Sequence, residues 1–258
     1  MIGIFDSGLG GLTVVKKLLK ENLGFDILYF GDTARLPYGT KSKKIILKYS
    51  KENSDFLIKK GAKVLIIACN TSSAIAADYL KKKFKVPIFD VITPTVRLAV
   101  MATKNKKIGI IATPSTIKSN IYQSKIKKIS KNKIKTYVQS CPLLVPLIEE
   151  GWLNHKVTKE VSREYLSPIK RKKVDVLILG CTHYPLIKKI ISKEIGKKVI
   201  IIDSAESVAC EVEKFLTKIK LPIRKKNSRL KIFLSDEGYG FSRISRGILK
   251  RKVPYEII

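Results

Sequence analysis

Lys63-Val64-Leu65-Ile66-Ile67-Ala68-Cys69-Asn70-Thr71 is the stretch that decides the fold. The run from Val64 to Ala68 is apolar on both alternating faces and too short for a helix. It therefore reads as a strand buried on both sides, as in a parallel sheet covered by helices. A cysteine and two polar residues follow, and then a helical pattern over 72–84. The same order recurs downstream as Val174-Asp175-Val176-Leu177-Ile178-Leu179, then Gly180-Cys181-Thr182-His183. Two copies of strand, small residue and cysteine point to a diverged internal repeat.

Working outward, residues 2–5 read as a buried strand leading into the Gly-rich turn Asp6-Ser7-Gly8-Leu9-Gly10-Gly11 and a helix from about 11 to 21. Further strands are expected near 26–30 and 87–89, and a helix over 41–60. The second series opens with a strand at 107–112, which ends in the polar turn Thr113-Pro114-Ser115-Thr116, and adds a strand at 199–202. Alternating strands and helices predict an α/β fold. Its form is two similar doubly wound parallel-sheet domains related by pseudo-symmetry, with the active site in the cleft between them. The expected division is 1–93 plus 208–258 for the first domain and 94–207 for the second. The strand-like runs 230–234 and 253–258 have no counterpart in the second half and are expected to return to the first domain.

Composition narrows the function. The chain has 258 residues and a formal net charge of +31, but 43 Lys against 9 Arg. Recognition of phosphates and bases favours the forked guanidinium of Arg. The lysines are also spread along the chain rather than gathered in one arm, so a solvated basic surface and no specific nucleic-acid partner are expected. The alternative, a basic nucleic-acid-binding protein, rests on net charge alone. Four widely spaced cysteines without a C-x-x-C pair, and only two histidines, argue against a disulfide framework and against a metal site. No apolar run reaches membrane-spanning length and the first residues do not read as a signal peptide, so the expected place is the cytoplasm with no membrane partner. A nucleotide-binding enzyme is disfavoured, since neither G-x-G-x-x-G nor a P-loop is present.

In open α/β sheets ligands bind beyond the carboxyl ends of the strands. The Gly-rich turn at 6–11 lies at such an end and could seat an anion on helix-start amides, or could simply begin a helix. Cys69 and Cys181 lie at two more. A thiol at a helix start is expected to have a lowered pKa, whereas a buried structural thiol would be a small apolar filler. Their equivalent places in the two halves favour the first reading, with the thiols facing one another across a cleft. Cys141 and Cys210 lack that context and read as core residues.

These motifs together resemble glutamate racemase, of the cofactor-independent Asp/Glu racemase family. They are Asp6-Ser7-Gly8-Leu9-Gly10-Gly11, Gly31-Asp32-Thr33 with Pro37-Tyr38-Gly39, Ala68-Cys69-Asn70-Thr71, Cys141-Pro142 with Pro146 and Glu149, and Gly180-Cys181-Thr182-His183-Tyr184-Pro185. The wider group, aspartate racemases included, shares the paired cysteines. The Pro-Tyr-Gly and Gly-Cys-Thr-His-Tyr-Pro-Leu forms point to the glutamate branch. The resemblance implies interconversion of L- and D-glutamate without a cofactor, supplying D-glutamate for peptidoglycan, and leaves room for a homodimer. Cys69 would exchange the α-proton of the D-enantiomer and Cys181 that of the L-enantiomer. It further implies that Asp6, Ser7, Tyr38, Gly39, Asn70, Thr71, Thr182 and His183 bind the amino acid, and that Asp6, His183, Asp32 and Glu149 assist catalysis. For Asp32 and Glu149, a plain turn or helix-surface carboxylate remains an open alternative.

Overall fold

The computed structural model describes residues 1–21, 24–218, 228–237 and 240–258. Its strands form two parallel sheets. The first contains β1 (Ile2–Asp6), β2 (Ile27–Gly31), β3 (Val64–Ile67), β4 (Ile88–Asp90), β9 (Leu230–Leu234) and β10 (Tyr255–Ile257), in the order β10-β9-β2-β1-β3-β4. The second contains β5 (Lys107–Ala112), β6 (Lys135–Ser140), β7 (Val176–Gly180) and β8 (Ile200–Asp203), in the order β6-β5-β7-β8. The shared pattern 2-1-3-4 and 6-5-7-8 is the internal repeat in three dimensions. In each sheet the chain leaves the founding strand in one direction and later returns to its other side, which opens a crevice at the strand ends. That crevice lies between β1 and β3 in one sheet and between β5 and β7 in the other.

Strand identity follows from burial. All five residues of β1, β2 and β7 are buried, as expected for strands covered on both faces. The registers are Ile4 opposite Ile66 and Tyr29, and Ile110 opposite Ile178 and Val138. The edge strand β6 (KTYVQS) is only half covered, and its polar composition hid it from the sequence reading.

Helices α1 (Leu12–Lys20), α2 (Lys43–Lys59), α3 (Asn70–Lys83), α4 (Ile92–Ala102), α5 (Pro114–Lys118), α6 (Ile121–Ile129), α7 (Leu144–Glu149), α8 (Lys156–Arg171), α9 (Lys188–Ile195), α10 (Ser204–Lys218) and α11 (Phe241–Leu249) cover the sheets. Alternate strand residues point to opposite faces. Phe5, Phe30 and Ile67 pack with Leu57 and Leu80 of α2 and α3 into one outer core. Ile111, Leu177 and Leu179 pack with helices α7 to α9 into another. The inner faces behave differently. Ile2 and Ile4 of the first sheet and Ile108, Ile110, Val176 and Ile178 of the second belong to one continuous core, filled by Leu12, Val96, Tyr122 and Val208 from α1, α4, α6 and α10. Each fully buried residue of this kind contributes roughly 1.5–3 kcal/mol through removal of apolar surface from water. The two sheets are thus joined by packing as well as by chain crossings.

One expectation changes at the surface. Cys141 is buried as expected, but Cys210 is exposed, because it falls on the outer side of α10. The lysines form short local groups that are already neighbours in sequence: Lys188, Lys189, Lys193 and Lys197 line one groove and Lys127, Lys128 and Lys131 another. Among the described residues no helix is long and apolar enough to cross a membrane.

Candidate active site

Four strand ends converge where the sheets meet. β1 delivers Asp6 and Ser7, β3 delivers Cys69, Asn70 and Thr71, β5 delivers Thr113 and Thr116, and β7 delivers Cys181, Thr182 and His183. All ten are buried. Contacts between the halves are direct. The Thr182 hydroxyl donates to Asp6 Oδ1 at 3.2 Å. Thr71 Oγ1 lies 3.0 Å from Thr113 Oγ1 and 3.2 Å from Thr116 Oγ1, and the latter two are 2.9 Å apart. The Tyr122 hydroxyl donates to Asn70 Oδ1 at 2.6 Å, and Asn70 Nδ2 donates to Ser204 Oγ at 3.1 Å.

Glycines allow this approach. A Cβ on Gly10 would stand 2.5 Å from Thr182 Oγ1 and 2.6 Å from His183 Nδ1, and one on Gly39 would stand 2.5 Å from Thr113 Cβ. Several amides at the Gly-rich turn are taken up by the turn's own groups. Gly8 N–H donates to Asp6 Oδ2 at 3.0 Å, the Gly11 amide also reaches Asp6, and the amides of Leu12, Thr13 and Val14 bond to carbonyls of the turn itself. The anion it holds is Asp6. Burial is the largest influence on that carboxyl and raises its pKa, opposed by His183 and by its amide and hydroxyl donors.

The two cysteines stand in unlike surroundings. Cys69 is the N-cap of α3, which begins two residues earlier than its pattern suggested. Its Sγ donates to Ser7 Oγ at 3.7 Å. The expected lowering of its pKa does not hold. Burial, and then the Asp6 carboxylate, push the thiol up to about 11, against the pull of the Ser72 amide and the Ser7 and Ser72 hydroxyls. The helix start is outweighed by desolvation and a neighbouring carboxylate. Cys181 is followed by a turn and the short helix Tyr184–Ile187 rather than directly by an α-helix. Its Sγ lies 3.6 Å from His183 Nδ1, and His183 Nε2 lies 2.5 Å from Glu149 Oε1 at the end of α7. Burial works against charge on His183, but hydrogen bonds to Cys181 and Glu149 and their charges prevail, so its pKa rises well above 6.5. One sulfur therefore faces hydroxyls and a carboxylate, the other an imidazolium.

Other expected residues have definite places. Asp32 is fully buried and accepts from Arg35 Nε at 2.8 Å, from Ser235 at 3.1 Å and from the Tyr38 hydroxyl. Tyr38 in turn accepts from Asn53 at 3.1 Å. Asp32 thus holds the Tyr38-Gly39 segment against Thr113, while Glu149 engages the site through His183. The Asn70 side-chain amide is committed to Tyr122 and Ser204. Thr113 and Thr116 were legible only as a turn; their equivalence to the turn after β1 was the available signal. Among the described residues, no three His, Cys, Asp or Glu side chains converge as metal ligands would.

Two buried thiols, one buried carboxylate, an imidazole bonded to a thiol and to Glu149, and a ring of hydroxyls supply acid, base and hydrogen-bonding groups suited to a small dipolar acid. A family model described as Asp/Glu/Hydantoin racemase matches residues 29–212. A glutamate racemase of Persephonella marina is 47% identical over 243 residues, covering 94% of this chain and 91% of that protein. The crystal structure of a glutamate racemase isoform from Bacillus anthracis superposes with a TM-score of 0.95 at 32% identity, covering 100% of this chain and 97% of that one. That of the Francisella tularensis glutamate racemase in complex with D-glutamate gives 0.93 at 40% identity, covering 100% and 96%.

Proposed function

Because the chain belongs to the Asp/Glu/hydantoin racemase family, we propose that it interconverts L- and D-glutamate by two-base proton transfer at Cα, without a cofactor. The observation that carries this reading is the pair of buried cysteines at the ends of the equivalent strands β3 and β7, on a seam where the two sheets meet. Substrate identity rests on the curated relatives and on the D-glutamate complex of the Francisella enzyme. The D-glutamate formed would serve peptidoglycan synthesis in the cytoplasm. Residues 1–93 with 208–258 form one body of the proposed machine and residues 94–207 the other.

In the direction from D to L, Cys69 in its thiolate form takes the α-proton and the Cys181 thiol delivers one from the opposite side. The return reaction reverses the roles. The pair holds one exchangeable proton between them at the start and end of each turnover, and its titration belongs to the pair. Imidazolium His183, held by Glu149, supports negative charge on Cys181 and hands protons along that side. Asp6, beside Cys69, serves the other. Hydroxyls of Ser7, Thr71 and Thr182 and the backbone at Tyr38, Gly39 and Asn70 hold carboxylate and ammonium groups, and Thr113 and Thr116 complete the ring. Exclusion of water strengthens each of these interactions during carbanion formation.

The test uses both halves separately. Cys69→Ser and Cys181→Ser should each abolish racemisation in both directions, since every turnover needs a base and an acid. With a β-halogenated glutamate only one abstraction is needed for elimination. Cys69→Ser should retain elimination from the L-form and Cys181→Ser from the D-form, because a serine hydroxyl is too weak an acid to act as a base near neutrality. Equal loss on both enantiomers in each variant would rule out opposite-face cysteines.

A further inference from the structure

We propose that the Ser72 hydroxyl is a positioning donor reserved for the thiolate form of Cys69, stabilising the charge that develops on that sulfur during catalysis; this rests on the reading of Cys69 as a base. Ser72 stands at the third position of α3, whose N-cap is Cys69. Groups at that position point back toward the cap, as in a capping box. Its side chain is fully buried, yet its Oγ has no hydrogen-bond partner among the described residues. A buried hydroxyl without a partner has given up its water bonds for nothing. Its neighbours explain the situation. The Cys69 thiol uses its single proton toward Ser7 Oγ at 3.7 Å. A neutral sulfur is a weak acceptor, and α3 shows no formed side-chain cap bond.

Loss of the thiol proton changes this accounting. The sulfur becomes a charged acceptor, and the donors within its influence are the Ser72 amide, the Ser72 hydroxyl and the Ser7 hydroxyl. Only Ser72 offers two donors from one residue, and its hydroxyl has no partner beforehand, whereas Ser7 Oγ already receives the thiol proton. The charged group that acts most strongly on Cys69 is Asp6 on β1, which opposes the thiolate, and the largest influences on the sulfur include no cation. Cys181 has His183 for this purpose. Ser72 is the hydroxyl counterpart on the first half.

The experiment compares the full-length protein with Ser72→Ala, using cysteine labelled with 13C at Cβ, whose four resonances report four thiols. The Cys69 resonance is assigned with Cys69→Ala. Loss of one hydrogen bond to a charged group should move the Cys69 titration up by about one pH unit, and so reduce its thiolate about tenfold near neutrality. The two enantiomers have equal free energy, so kcat/KM should fall about tenfold for both, with the acid limb of the pH profile displaced upward. The melting temperature should stay level or rise, since an unbonded buried hydroxyl is removed. An unmoved Cys69 titration overturns the proposal, above all if accompanied by a lowered melting temperature, the mark of a merely structural serine. Racemisation that survives Cys69→Ala removes Cys69 as a base, and with it any catalytic use of Ser72. The titration can be read independently of that outcome, so the two failures are told apart.

Discussion

His183 shows how far a single side chain can be taken from its ordinary chemistry by two neighbours. Its pKa in the folded chain is raised despite burial, because Cys181 and Glu149 bond both ring nitrogens. The sign of the resulting pH dependence follows. A group whose folded pKa exceeds its unfolded value stabilises the fold fully below the unfolded pKa, about 6.5, and loses that contribution as pH rises through the folded value. With only two histidines in the chain, imidazole NMR is simple, and His155→Asn identifies the second signal. The His183 signal is expected to remain in its protonated form well above pH 6.5. Glu149→Gln should bring its titration down by about one pH unit or more, since the carboxylate that favours the cation is gone. A His183 signal that titrates identically in both proteins would show that Glu149 does not control it. The family resemblance names Glu149, but nothing local at the end of a short helix shows that it acts through His183. It depends on a partner 34 residues away.

At the scale of elements, the close approach of the turns after β1 and β7 is the feature on which the site depends. Gly10→Ala would thrust a methyl group within 2.5–2.6 Å of Thr182 and His183. The turns must then separate, and a displacement of about 1 Å at a catalytic group costs on the order of 100-fold in rate. The expected result is a folded protein with intact far-UV circular dichroism and racemisation reduced by roughly that factor. Full activity would mean that the turns have room to yield. Elements with strong local signals were legible in sequence. Continuous apolar runs gave β1, β3 and β7, and paired cysteine turns gave the convergence point. The edge strand β6 was missed because most of its residues are polar and none is fully buried. The start of α3 was placed late because Asn70 and Thr71 look like turn residues, while Cys69 takes the cap position. The Thr71, Thr113 and Thr116 triangle and the Tyr122 to Asn70 bond escaped notice for a common reason. Apart from the Thr113 to Thr116 edge, they join residues more than forty positions apart, and no local pattern encodes such a pairing.

For the whole molecule, the continuous inner core bears on motion and on unfolding together. Two bodies joined by flexible crossings alone would be expected to hinge freely; a large apolar interface restrains them. Ile4 of one sheet and Ile178 of the other are members of one buried cluster, so a wide opening of the halves would have to break that packing. The same core predicts one cooperative transition. The single tryptophan, Trp152, lies just beyond α7 and flanks the second sheet, whereas Leu12 in α1 is fully buried beside the first. Leu12→Ala should lower stability by about 2–5 kcal/mol through loss of packing and the cavity left behind. Trp152 fluorescence in a denaturant series should report the whole of that loss, with a midpoint matching circular dichroism. A fluorescence midpoint unmoved by the substitution would show that the halves unfold separately.

The order of strands in the first sheet also governs how the protein comes off the ribosome. β2 is flanked on one side by β1 but on the other by β9, and Asp26 and Arg229, joined at that seam, are 203 residues apart. Every strand of the second sheet emerges between them. The half that begins synthesis first is thus completed last, with the apolar edge of β2 unpaired through most of translation. Exposed strand edges of this kind invite association with other chains. Nascent chains stalled before residue 230 should therefore depend on chaperone protection more than chains released after β9 has emerged.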